Sequence, residues 1–111
     1  MPPADLPDPT SDRYVDRVLS LYRATPGTTG RARPADRRLA ADLQARRVPL
    51  SLVEHALLLA VARRSVRPPD AAPLPPARSL HYFLPVIEEL LARPLDPAFV
   101  TYLRATLHRL P

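Results

Sequence analysis

Cysteine, lysine and tryptophan are all missing from this 111-residue chain, and glycine occurs only twice, at Gly27 and Gly30. Without thiols there is no disulfide staple, no thiolate metal site and no cysteine nucleophile, and nothing argues for an oxidising compartment. A long apolar run is missing too, since the longest falls well short of the roughly 20 residues that cross a bilayer. The opening MPPADLPDPTSD has neither the basic nor the apolar segment of a signal peptide, and a cytoplasmic location is expected. The length suits one domain with a single modest core.

What the chain holds in excess is arginine, proline, alanine and leucine. All 16 basic residues are arginine against 11 acids, a net charge of +5, with an isoelectric point near 10.7. Arginine offers a planar fork that grips phosphate in bidentate fashion, so a nucleic-acid backbone is the first candidate partner. The same residue usage is also what a GC-rich genome produces, so charge alone leaves binding and mere solvation as alternatives.

The organising stretch is Leu52 to Ala62, LVEHALLLAVA, which is apolar on nearly every side and therefore reads as a buried central helix. Ser51 and Glu54 have the spacing of a capping box at its start. Before it, residues 1–11 read as a loose arm, with four prolines in the first nine positions. Thr10, Ser11 or Asp12 offers an N-cap to a helix ending near Ala24, in which Val15, Val18, Leu19 and Tyr22 share one face. Thr25-Pro26-Gly27 stops it, and the following loop, with Arg23, Arg31 and Arg33 around both glycines, reads either as a phosphate-wrapping loop or as a solvated turn. Pro34 opens a second helix to about Arg47, with Ala35, Leu39, Ala40 and Leu43 inward and Asp36, Arg37, Arg38, Asp42, Arg46 and Arg47 on a charged face.

After the central helix, residues 67–77 contain five prolines in eleven positions and predict a stiff, extended outer connector. Leu80, Phe83, Leu84, Ile87, Leu90 and Leu91 then repeat at helical spacing, with Glu88 and Glu89 facing away. Pro85 inside that pattern demands either a short turn before a helix starting near it or one bent helix. Asp96-Pro97 opens a last amphipathic helix through Phe99, Val100, Leu103, Leu107 and Leu110, with Arg104 and Arg109 outside. The fold expected is all-α: a compact bundle of four to five helices around residues 51–64, forming one domain over 12–111.

The run from about Ala35 to Leu91, with VPLSLVEHALLLAVARR, the proline connector and RSLHYFLPVIEELL, resembles the helical tail segments of replication-initiator and DnaD-like primosomal proteins and of small mobile-element accessory proteins. The resemblance covers about half the chain. It implies a helical module that contacts DNA or a replication or recombination partner.

Catalytic constellations are not found. His55, His81 and His108 fall on three separate elements, without the paired spacing that puts two ligands on one helical face. His55 reads as a hydrogen-bonded core histidine. Glu88 and Glu89 diverge by about 100° on a helix, and no nucleophile elbow or strand-borne phosphate loop is present. No enzymatic activity, cofactor or metal is therefore expected. A simple helix-turn-helix reader is also rejected, because the helix after the turn has almost no polar side chains to show to bases. The leading expectation is non-catalytic binding of DNA or RNA phosphates by Arg31, Arg33, Arg37, Arg38, Arg46 and Arg47, in an accessory protein of mobile-element replication or recombination. The alternative is a helical adaptor or self-associating subunit, favoured by Tyr14, Tyr22, Tyr82 and Tyr102, a residue type enriched at interfaces.

Overall fold

A computed structural model describes residues 9–108, with side chains from Arg13 onward. Five α-helices and one 3₁₀ turn make up the fold: α1 Pro9–Ala24, α2 Pro34–Ala45, α3 Leu50–Ser65, the 3₁₀ turn Leu80–Phe83, α4 Leu84–Ala92 and α5 Pro97–His108. The expected all-α bundle is what forms. Most of the expected arm, residues 1–8, and the positions of Arg109 and Leu110 lie outside the described residues. Helix α1 already begins at Pro9, so Thr10, Ser11 and Asp12 sit inside its first turn and not at its cap.

Helix α3 packs against α1, α4, α5 and the 3₁₀ turn, and no residue from Leu52 to Ala62 is fully exposed. The absence of a polar stripe is thus satisfied by neighbours on several sides. Tyr22, Leu43, Val53, Leu80, Phe83, Ile87 and Leu90 are the bulky side chains of the core, each contributing roughly 1.5 to 3 kcal/mol of burial. The Tyr22 ring meets Phe83 edge-on at 6.1 Å, which ties α1 to the 3₁₀ turn.

The predicted capping box of α3 is not used. Pro49 occupies the cap in an extended conformation, and its carbonyl accepts the N–H groups of Leu52 and Val53 at 3.0 and 3.2 Å. Ser51 is therefore already helical and exposed, while Glu54 pairs with Arg104 of α5. The proline ring fixes the entry dihedral two residues earlier than a serine cap would.

Helix α2 ends at Ala45 in a Schellman motif. Val48 N–H donates to the Leu43 carbonyl at 3.0 Å and Arg47 N–H to that of Gln44 at 2.9 Å, with Val48 and Leu43 both buried. The left-handed position, φ 58°, is held by Arg47, where glycine would be favoured by roughly 1 kcal/mol. Tyr14 locks the turn from α1 by donating its hydroxyl to the Val48 carbonyl at 2.8 Å.

Pro85 resolves as the first of its two options: the 3₁₀ turn comes first and the proline falls in the opening turn of α4, where a missing N–H costs nothing. At α5, Asp96 caps as expected, accepting Ala98 N–H at 2.8 Å.

The connector between α3 and the 3₁₀ turn is held to the body at its end. Ala77 is buried; its N–H donates to Gly27 at 2.7 Å and its carbonyl accepts from Thr29 at 3.1 Å, giving one isolated parallel bridge. Arg64 reinforces this, donating to the Pro75 carbonyl and to the Tyr82 hydroxyl, each at 2.8 Å. Near its start the connector turns, with Ala71 N–H on the Pro68 carbonyl at 3.0 Å, so it is not extended throughout. No helix among the described residues is long and apolar enough to cross a membrane.

Candidate nucleic-acid interface

The exposed surfaces of α1 and α2 adjoin. In α1, Val15, Val18, Leu19 and Tyr22 point inward, which leaves Arg13, Asp16, Arg17, Ser20 and Arg23 in solvent. In α2, Leu39, Ala40 and Leu43 point inward, leaving Arg37, Arg38 and Asp42 exposed. Arg37 and Asp16 meet at 2.9 Å across the two helices, so α1 and α2 adjoin along that edge, while Arg38 and Asp42 border a shallow recess with His81 of the 3₁₀ turn.

The six arginines singled out from the sequence divide here. Arg31, Arg33, Arg38 and Arg47 are exposed and form no ion pair among the described residues. Arg37 spends its charge on Asp16. Arg46 turns the other way, to Glu88 of α4 at 2.6 Å, so it leaves the α1–α2 face. Glu88 and Glu89 consequently do not face an empty solvent: Glu89 binds Arg63 through two hydrogen bonds of 2.8 and 2.6 Å. That pairing holds the Glu89 carboxyl below the usual carboxylate range. Exposed pairs of this kind add little stability, so they fix geometry more than stability.

Arg13 and Arg17 join the face although the sequence reading passed over them. The signal was available, since both lie opposite the Val15, Val18 and Tyr22 stripe when α1 is wound at 100° per residue.

The α1–α2 loop is shaped and not slack. Thr25 donates its hydroxyl to Leu21 at 2.6 Å, Thr28 bonds back to Thr25 at 3.0 Å, and the Thr28 hydroxyl accepts Gly30 N–H at 3.2 Å. Gly27 needs its positive φ of 86°, and a Cβ there would lie 3.2 Å from the Arg64 Nε. These bonds present Arg31 and Arg33 just ahead of α2.

Asp36 corrects the sequence reading most sharply, because it is wholly buried and not part of the charged face. One carboxylate oxygen accepts Arg33 N–H at 2.8 Å, closing the start of α2. The other accepts the buried Leu80 N–H at 2.8 Å, anchoring the 3₁₀ turn 44 residues away. Near it, the buried Tyr22 hydroxyl makes no well-formed hydrogen bond among the described residues, with the Thr29 side chain only a weak partner. Burial pushes the Tyr22 phenol up, the Asp36 charge adds to that, and Thr29 and Arg33 pull it back only in part.

Tyr22 therefore stays neutral in the folded protein at a pH where it would ionise in the unfolded chain. Its contribution to stability is complete below about pH 10 and is lost as pH rises through the folded value. Urea unfolding followed from neutral pH to above pH 10 is expected to show an alkaline fall in stability that Tyr22→Phe reduces. A residual slope belongs to Tyr14, whose phenol burial also raises.

The histidines are dispersed: His55 is half-buried on α3, while His81 and His108 are exposed. The hydrogen bond expected for His55 is not made with any described residue. No cluster able to hold a metal ion occurs among the described residues. Of the four tyrosines offered as interface residues, Tyr22 belongs to the core and Tyr14 to the α2–α3 turn, leaving Tyr82 and Tyr102 exposed. Comparison with known proteins finds no matching family model, no matching curated protein and no matching solved structure. Fold and surface define only a class: a small all-α bundle whose described surface carries many exposed arginines.

Proposed function

We propose that this protein binds the phosphate backbone of a nucleic acid, without catalysis, through the α1–α2 face and the loop joining those helices. The observation that carries the reading is the charge balance of that face. Arg13, Arg17, Arg23, Arg31, Arg33, Arg38 and Arg47 are exposed and unpaired among the described residues, against an exposed Asp42 and an Asp16 already held by Arg37. From the start of α2 to its end is about 18 Å at 1.5 Å per residue, the axial span of roughly five phosphates of one strand at about 3.4 Å each. Phosphate contacts dominate in this reading, and they position a protein without carrying sequence information. The narrower role, an accessory in mobile-element replication or recombination, rests on the sequence resemblance alone.

Fluorescence anisotropy of labelled single-stranded and duplex DNA and RNA, titrated at several salt concentrations, tests the reading. Contact with about five phosphates of duplex DNA gives a log–log salt slope near −4 to −5, at about −0.9 per contact. Absence of binding at about 50 mM salt to every one of these probes overturns it.

A further inference from the structure

A recess of about 360 Å³ opens where α3 runs into the proline connector, a volume at the small end of the range for ligand sites. Its lining has two characters. Arg63, Arg64 and Arg67 are cationic, while Leu74, Val86 and the Tyr82 ring are apolar. Among the described residues no acid lines it, and neither does any arginine assigned above to the α1–α2 face. Tyr82 and Leu74 are 47% and 40% exposed, so the apolar part is open to solvent.

The charges gathered here are held in place by neutral partners. Arg64 donates to the Tyr82 hydroxyl and to the Pro75 carbonyl, each at 2.8 Å, and its guanidinium carbon lies 5.4 Å from the Tyr82 ring centroid. Arg67, beyond the end of α3, donates to the Ala72 carbonyl at 2.8 Å. A guanidinium carries five N–H donors, so both keep donors for a ligand, and neither forms an ion pair among the described residues. Asp70 of the connector pairs with neither. Arg63 alone is neutralised, by Glu89. Two uncompensated guanidiniums therefore stand against about half a negative charge from the end of α3, a balance that favours an anion. The Tyr82 hydroxyl accepts from Arg64 and has its own proton left to donate.

We propose that this recess binds a phosphomonoester carried on a small aromatic body, the chemistry of a nucleoside monophosphate, either free or at the 5′ end of a strand. Arg64 and Arg67 hold the phosphate oxygens, Tyr82 donates its hydroxyl, and Leu74 and Val86 pack against the body. A monoester suits the site better than the diester of a strand interior, because it carries about 1.5 to 2 negative charges near neutral pH and so matches both guanidiniums. The site stands whether or not the α1–α2 face binds a nucleic-acid backbone.

The test is a heteronuclear NMR titration of the full chain at low salt with adenosine monophosphate, ribose 5-phosphate and adenosine, each to about 10 mM. Adenosine monophosphate is expected to shift the backbone signals of Arg64, Arg67, Leu74 and Tyr82, ribose 5-phosphate to bind several-fold more weakly, and adenosine not to bind. Arg67→Ala is expected to weaken binding about tenfold, the loss that follows from removing hydrogen bonds to a charged group. Tyr82→Phe should weaken it less, and it remains informative if Arg67→Ala frees the connector. Arg38→Ala, on the α1–α2 face, should leave it unchanged. Dinucleotides with and without a 5′-phosphate separate the two sources: tighter binding of the phosphorylated one than of adenosine monophosphate assigns the strand end, and the reverse order assigns the free nucleotide. Equal binding of the two dinucleotides overturns the monoester, and equal binding of ribose 5-phosphate and adenosine monophosphate overturns the aromatic body. The site itself is overturned if adenosine monophosphate causes no shifts up to about 10 mM, if its shifts map to the α1–α2 face, or if folded Arg67→Ala binds it undiminished.

Discussion

Replacing Asp36 by alanine is expected to destabilise the protein by about 3 to 5 kcal/mol, since two hydrogen bonds to an ionised acceptor contribute roughly 1.5 to 3 kcal/mol each. The two donors respond differently. Arg33 N–H lies at an exposed residue and can turn to water. Leu80 N–H is buried, so it keeps its full desolvation penalty once its acceptor is gone. The loss also cuts the direct tie between the start of α2 and the 3₁₀ turn that sets up α4. Against a total stability of about 5 to 15 kcal/mol for a domain, this single carboxylate decides whether the fold is well populated. Asp36→Asn is expected to cost less, because its amide oxygen still accepts one N–H while its NH₂ faces the other. Urea denaturation checks both, and an Asp36→Ala protein within about 0.5 kcal/mol of the native one, the range of ordinary surface substitutions, would refute the assignment. Asp36→Asn is further expected to lower the pH at which Tyr22 ionises, because the Asp36 charge is one of the causes that raise it.

Removing four arginine charges, by Arg31→Ala, Arg33→Ala, Arg38→Ala and Arg47→Gly together, is expected to weaken nucleic-acid binding on the order of 100-fold or more near 0.1 M salt. The same variant should flatten the salt slope by about three to four, at roughly one unit per lost phosphate contact. Glycine is chosen at position 47 because the backbone there is left-handed, so the change offsets any structural cost of the other three. All four side chains are exposed, and the unfolding midpoint should be close to native. Arg46→Ala is the matched control: Arg46 is turned to Glu88, so its removal should change the slope much less. Equal effects from Arg46→Ala and from Arg38→Ala would place the binding surface elsewhere. Sequence preference is not expected to change, since phosphate contacts position a protein without reading bases.

Most of the fold was legible before any coordinates. The all-round apolar character of residues 52–62 demanded neighbours on every side, and α1, α4 and α5 supply them. Periodicity placed the core faces of α1, α2 and α4, and the Asp96-Pro97 pair marked α5, because hydrophobic spacing and proline geometry act locally. Local rules failed where two of them competed. Ser51 with Glu54 satisfies a capping pattern, but Pro49 fixed the start two residues earlier and Arg104, distant in sequence, drew Glu54 away.

The candidate face was only partly legible for the same reason. Sequence determined that arginine greatly outnumbers exposed acid along α1, the loop and α2, since each of those segments shows its polar side by spacing alone. Only the tertiary structure decided which of those charges remain available, because partners such as Asp16 for Arg37 and Glu88 for Arg46 lie 21 and 42 residues away. It also decided that Asp36 is a buried tie and not a surface charge. On a helical wheel Asp36 falls inside the stripe of Leu39, Ala40 and Leu43, so spacing pointed inward while the charge of an acid argued for water. The Leu80 N–H that settles the matter arrives from another element, and the acceptor it needs is supplied by packing, which no local pattern encodes.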